Sequence, residues 1–159
     1  MIIAGKLPKV QRFCYCTRNL KCACFIVIFI GMFSSIQKAE LLAKPMCNEL
    51  YISSSPVRLI VNILRWLLFT EELILSTSCF VFLLGIFMKY PVTADILIIS
   101  AFITLITTLP YTILIMIQEQ YTECKWYHSQ LFHLLLYFAM WCYFILVVNS
   151  YSDEMSNNN

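Results

Sequence analysis

The sequence predicts an all-α fold, a polytopic membrane protein built as a four-helix transmembrane bundle. Three observations predict it. Of 159 residues, 60% are hydrophobic and only 13% are charged, where a water-soluble domain carries about 25% charged residues. The apolar residues come in four long runs, bounded by Lys21 and Lys38, Glu72 and Lys89, Asp95 and Glu119, and Lys125 and Asp153. Between these runs there is no internal repeat and no stretch with the composition of a separate soluble domain. The net charge of +2 is mild, and no Lys/Arg run is interleaved with aromatics. A nucleic-acid groove needs such a run, so nucleic acid is not an expected partner. The expected partners are the lipid bilayer and other membrane proteins packed laterally.

The elements follow in order. Residues 1–21 form a basic, cysteine-containing segment with Lys6, Lys9, Arg12, Arg18 and Lys21 and no acid. That bias favours a cytoplasmic N-terminus, and four spans then return the C-terminus to the same side. The first span is expected at about 22–37. Its apolar run starts too late for a secretory signal and is followed by Gln37-Lys38 rather than a small-residue cleavage site, so it reads as a retained helix. The first two runs are shorter than the ~20 residues that cross the hydrocarbon, but snorkelling lysine stems extend such spans.

The second span is expected at about 66–88. Ahead of it, Ser55 suits an N-cap and Pro56 a first helical position. Arg58, Asn62, Arg65 and Glu72 then share one side at helical spacing. A cation at mid-bilayer is costly, so Arg65 and the Glu71–Glu72 pair are expected near an interface. Two arrangements satisfy this: one long helix partly outside the hydrocarbon, or an interfacial helix joined to a span. After the tight link "KYPVTAD", with Pro91 as a stop and Thr93 or Asp95 as a cap, the third span is expected at about 94–118. Pro110 should kink it, with Thr107 or neighbouring helices serving the freed carbonyl. The fourth span is expected at about 129–149, followed by a polar, disordered cytoplasmic tail at 150–159.

The eight cysteines divide by position. Cys14, Cys16, Cys22 and Cys24 sit beside the first span on its basic side, where reversible palmitoylation occurs. Four thiolates could instead hold zinc, although C-x-C-x5-C-x-C is not the usual spacing; unmodified small apolar residues are the third alternative. Cys47 and Cys124 are each alone in an outer loop on the oxidising side of this topology, so they are the candidate disulfide. Cys79 and Cys142 lie within spans and are expected in the core.

Polar residues inside the spans are the remaining candidates. Ser100, Thr104, Thr108 and Thr112 form a seam at four-residue spacing on the third span. Such hydroxyls bond back to their own helix or across to another, giving a packing seam or a water-lined path. Gly31 and Ser35 make a small-xxx-small contact on the first span. His133, Tyr137 and Trp141 share a face of the fourth, where interfacial or packing roles are expected; Arg65, Glu71 and Glu72 read as interface anchors or an ion pair. No G-x-S-x-G, H-E-x-x-H or P-loop occurs, so no catalytic site, cofactor or metal is expected. No N-x-S/T glycosylation acceptor occurs either.

The segment "FCYCTRNLKCACFIVIFIGMFSSI", followed by a long first outer loop, a tight second link and a short third loop, resembles an arthropod family of small tetraspan membrane proteins. This Pasiflora-like family is similar in layout to the lysosome-associated transmembrane proteins. The resemblance implies a four-span fold and a role at cell junctions of the septate type. The tail "SYSDEMSNNN" lacks the Pro-Tyr and Tyr-x-x-apolar signals of lysosomal members. A plasma-membrane or junctional location is therefore expected over an endolysosomal one. The expected function is non-enzymatic lateral association, as a junctional or accessory subunit. The alternatives are a transporter or channel component using the hydroxyl seam, and an endolysosomal adaptor.

Overall fold

The computed structural model describes residues 20–43, 56–119 and 128–157. They form four helices, α1 (Leu20–Ala43), α2 (Pro56–Met88), α3 (Val92–Glu119) and α4 (His128–Asn157). Each contains a stretch long and apolar enough to cross a membrane. Contacts run α1–α2, α2–α3, α3–α4 and α4–α1. The helices therefore alternate in direction around a ring, with α1 diagonal to α3 and α2 diagonal to α4. We call the end that carries the α2–α3 connection the link end.

The buried residues explain why the helices pack this way. On α2 they include Val61, Arg65, Leu68, Glu72, Leu75, Cys79, Phe82 and Ile86, an unbroken alternation of four- and three-residue steps, with Ser78 and Gly85 beside it. The same alternation runs through Ala94, Leu97, Ala101, Thr104, Thr108, Tyr111 and Ile115 on α3, and through Tyr137, Trp141, Phe144, Val148, Tyr151 and Met155 on α4. On α1, Cys24, Ile28, Gly31, Ser35 and Leu42 keep the register, and Lys38 fills the position between the last two. A 3.5-residue repeat is the seam of helices that cross at about +20° with knobs seated in holes. In lipid no hydrophobic drive draws one helix to another, so this interdigitation and internal polar bonds hold the bundle.

Small residues set the closest approaches. A Cβ at Gly31 would stand 3.1 Å from the Trp141 ring and 3.4 Å from Cys79 Sγ. Trp141, 1% exposed, thus brings the edge of its six-membered ring against α1 at Gly31. Its ring meets Tyr137 at 6.3 Å and Phe144 at 5.8 Å between centroids, both edge-on. At the link end, a Cβ at Gly85 would overlap the Thr93 side chain. There Lys89 adopts a left-handed conformation (φ 56°) and the Tyr90 N–H donates to the Gly85 carbonyl at 2.9 Å. This is a Schellman termination that reverses the chain into α3 within three residues.

Several expectations change. The first helix continues past Lys38 to Ala43, because Ala39 and Leu42 still have a core to bury against. Of the two arrangements expected for residues 56–72, the single long helix is the one observed: α2 has 33 residues, is ~50 Å long, and begins ahead of the expected start at 66. Pro110 lies inside α3, as expected, but the Thr107 hydroxyl turns to the Ile103 carbonyl and Glu71 Oε1 rather than to the carbonyl Pro110 frees. Thr93 does not cap with its oxygen; its hydroxyl donates to the Tyr90 carbonyl at 2.8 Å. The expected disordered tail at 150–159 is helical through Asn157. Tyr151 meets Phe82 edge-on at 6.4 Å, and Met155 joins the same core, so this segment has packing enough to order it.

Candidate functional site: a polar clasp inside the bundle

One rung of the repeat is polar on every helix. Counting ~1.5 Å per residue from the link end, Glu72 stands ~24 Å along α2, Thr108 ~24 Å along α3 and Lys38 ~27 Å along α1. Equal depth lets them meet. The Lys38 ammonium lies 2.7 Å from Glu72 Oε1, with the side chains 12% and 0% exposed. It also donates to Thr108 Oγ1 at 2.9 Å. The Tyr137 hydroxyl donates to the Glu72 carboxylate, 2.7 Å from Oε2 and 2.9 Å from Oε1. The Lys38 ammonium stands 4.0 Å from the Tyr137 ring centroid. The Tyr137–Glu72 bond crosses one diagonal of the ring and the Lys38–Thr108 bond crosses the other.

The electrostatics follow from this arrangement. A buried ion pair recovers its desolvation cost only when further hydrogen bonds satisfy both ions. Glu72 receives Lys38 and Tyr137, while Lys38 has Glu72, Thr108 and a ring face, where a desolvated cation–π contact adds to the attraction. Thr108 can accept from Lys38 because its own proton goes to the Thr104 carbonyl, at 2.7 Å. Neighbouring Glu71 points elsewhere: its Oε1 lies 3.0 Å from the Thr107 hydroxyl, which shares its one proton between Glu71 and the Ile103 carbonyl, and Glu71 is only half-buried.

The structure sorts the other candidates. In the α3 seam, Ser100, Thr104, Thr108 and Thr112 each bond back one turn, to the carbonyls of Ile96, Ser100, Thr104 and Thr108. Of these, Thr108 also accepts a bond from another helix, from the Lys38 ammonium. Arg65 is buried but lies two turns further out on α2 than Glu72, with its guanidinium 5.4 Å from the Trp66 ring; it is not part of the clasp. His133 is exposed at the head of α4, one turn before Tyr137, whereas Tyr137 and Trp141 face inward. Cys22 is exposed and Cys24 buried, so an acyl chain reaches Cys22 without disturbing the core and reaches Cys24 only by opening it. Cys79 is in the core, but Cys142 is exposed rather than buried. The disulfide candidates Cys47 and Cys124, and the palmitoylation candidates Cys14 and Cys16, lie outside the described residues. No group of three or more metal-ligating side chains occurs among the described residues.

The clasp itself brings together residues that the sequence reading kept apart. Lys38 serves there as the end of the first span, Glu72 as an interface anchor, Thr108 as one hydroxyl of a seam and Tyr137 as one aromatic on a face. The usable signal is depth. Once the helices are taken to alternate about a common link end, the polar residues 16 to 18 positions from that end on α1, α2 and α3 fall on one level. Comparison with protein-family models, with curated proteins and with solved structures finds no match to this chain.

Proposed function

We propose that this four-helix membrane protein is non-enzymatic and acts by lateral association with other membrane proteins, as a junctional or accessory subunit. The observation that carries the reading is that the bundle's buried charge pair is spent on internal bonds. Lys38 and Glu72 bind each other and two further helices. Below them toward the link end, the α2 rungs Leu75, Cys79, Phe82 and Ile86 face an interior also filled by Trp141, Phe144 and Val148. Such a core supplies rigidity, and it leaves the outward faces for partners. Those faces carry bulky apolar groups, among them Phe29, Phe33, Ile74 and Phe87. The resemblance of the N-terminal cysteine-rich segment to the Pasiflora-like tetraspan family supports a place at cell junctions for this association.

A second reading, a transporter or channel component, is favoured by the buried charges themselves, since ionisable residues inside spans often mark ion pathways. It is also favoured by Asn149, which is fully buried with neither amide atom partnered among the described residues. One experiment separates the two. The full chain and its Thr104→Val/Thr108→Val variant are reconstituted in vesicles and assayed for proton, cation and solute flux. The expected result is flux no greater than that of empty vesicles for both proteins, with lower abundance of the variant in cells. Robust flux through the wild-type protein that disappears in the variant would overturn lateral association as the activity.

A further inference from the structure

A lateral groove of about 300 Å³ runs between α2 and α3, lined in part by Glu71, Ile74, Ser78, Ile96, Ile99 and Ile103. All four isoleucines are at least 45% exposed, so the groove opens sideways, into the bilayer of a membrane-spanning chain. Its hydroxyls are satisfied within their own helices: Ser78 donates to the Ile74 carbonyl and Ser100 to that of Ile96. Glu71, at the end farthest from the link, is different. Its Oε1 accepts from Thr107, but its Oε2 is buried without a partner among the described residues.

We propose that this groove is a binding site for a single-chain lipophilic amine, whose alkyl chain lies between the isoleucines and whose ammonium pairs with Glu71 after the carboxylate turns its covered Oε2 toward the groove. The dimensions suit an alkyl chain. The volume falls at the small end of the ~300–1,000 Å³ that ligand pockets occupy, with the usual apolar lining and few polar groups. From Glu71 to Ser78 the groove is ~11 Å long, and over that length a helix ~10–12 Å across fills roughly three to four times its volume. Charge selects the head group. A carboxylate in hydrocarbon calls for a cationic partner; the Lys38 charge reaches Glu71 only through space, because its ammonium is bonded to Glu72 and Thr108. Among the described residues, a second copy of the chain brings no further lysine or arginine to this depth. A two-fold axis along the membrane normal keeps every residue at its own depth, and Arg65 lies ~9 Å further out while Lys21 and Lys89 stand near the link end, ~26 Å away. A neutral acyl chain would fill the walls and leave Glu71 Oε2 as it is.

The test uses the purified full chain in phosphatidylcholine vesicles with dodecylamine bearing a diazirine on its chain, and the matching dodecanol. The amine is expected to label α2 and α3 around Ile74, Ile99 and Ile103 saturably, and unlabelled dodecylamine should compete. Glu71→Gln keeps an oxygen for Thr107, and labelling by the amine should fall about tenfold or more, the scale of a hydrogen bond to a charged group. Ile99→Trp fills the groove and should abolish labelling with Glu71 intact. Equal labelling by amine and alcohol, or labelling that survives Glu71→Gln, would mean that a neutral chain occupies the groove and would overturn the proposal. Absence of groove labelling in the wild-type protein would overturn it too. If Glu71→Gln does not fold, the amine–alcohol comparison and Ile99→Trp decide the matter.

Discussion

Lys38→Met is expected to destabilise the bundle by about 3–5 kcal/mol, the cost of leaving one ion of a buried pair uncompensated. Methionine keeps the length and apolar stem of lysine, so the loss is electrostatic rather than steric. Glu72, 0% exposed, would retain only the Tyr137 hydroxyl, and Thr108 would lose its donor. Detergent-titration unfolding of protein held in bicelles measures the change. The double variant Lys38→Met/Glu72→Met removes both charges together. It should recover most of the loss, because apolar groups of similar size replace buried ion pairs at little cost or with a net gain. An additive double variant would mean that the two side chains do not interact.

The second large effect is expected at Trp141. Truncating a buried Trp to Ala costs roughly 3–5 kcal/mol in a water-soluble core, through transfer and cavity terms together. In lipid the transfer term between helix surface and surroundings is nearly absent, so Trp141→Ala should lie near ~3 kcal/mol, almost all of it cavity. The same geometry makes Gly31→Ala harmful in the opposite sense, since the new methyl presses on the Trp141 ring at 3.1 Å; overpacking of this kind costs about 1–3 kcal/mol. The two should not add. Once Trp141 is gone, the methyl of Gly31→Ala enters the space it left, and the double variant should be no less stable than Trp141→Ala alone. The same unfolding assay checks this; a strictly additive pair would place Gly31 and Trp141 apart.

The four spans were legible because lipid imposes a length and a composition that survive in the sequence without any partner information. The packing face was not. In a soluble helix polar residues mark the outer side, but here Phe33 and Phe87 face outward and Val27 and Phe82 face inward, so hydrophobicity cannot tell the two sides apart. Small and polar positions carry the information instead, as the inward Gly31, Ser35, Thr104 and Thr108 illustrate. Treating a charge as the end of a span concealed the site. It closed the first helix at Lys38, although Ala39, Leu41 and Leu42 carry the apolar run onward, and it moved Glu72 to an interface. Each charge was judged by its cost alone, and that cost is offset by a partner on a helix distant in sequence. The hydroxyl seam was half legible: its spacing left bonds back to its own helix and bonds across to another both open, and it did not say that one member, Thr108, accepts a hydrogen bond from a lysine.

A lysine and a glutamate meet inside the bundle and tie all four helices together. Solid-state NMR on protein labelled with ¹⁵N at lysine Nζ and ¹³C at glutamate Cδ, reconstituted in lipid, measures that contact without disturbing it. The account predicts dipolar dephasing from a lysine ammonium within ~4 Å of a glutamate carboxyl, the range of an ion pair, with that contribution lost in Glu72→Gln. Dephasing that is absent, or unchanged in Glu72→Gln, would contradict it.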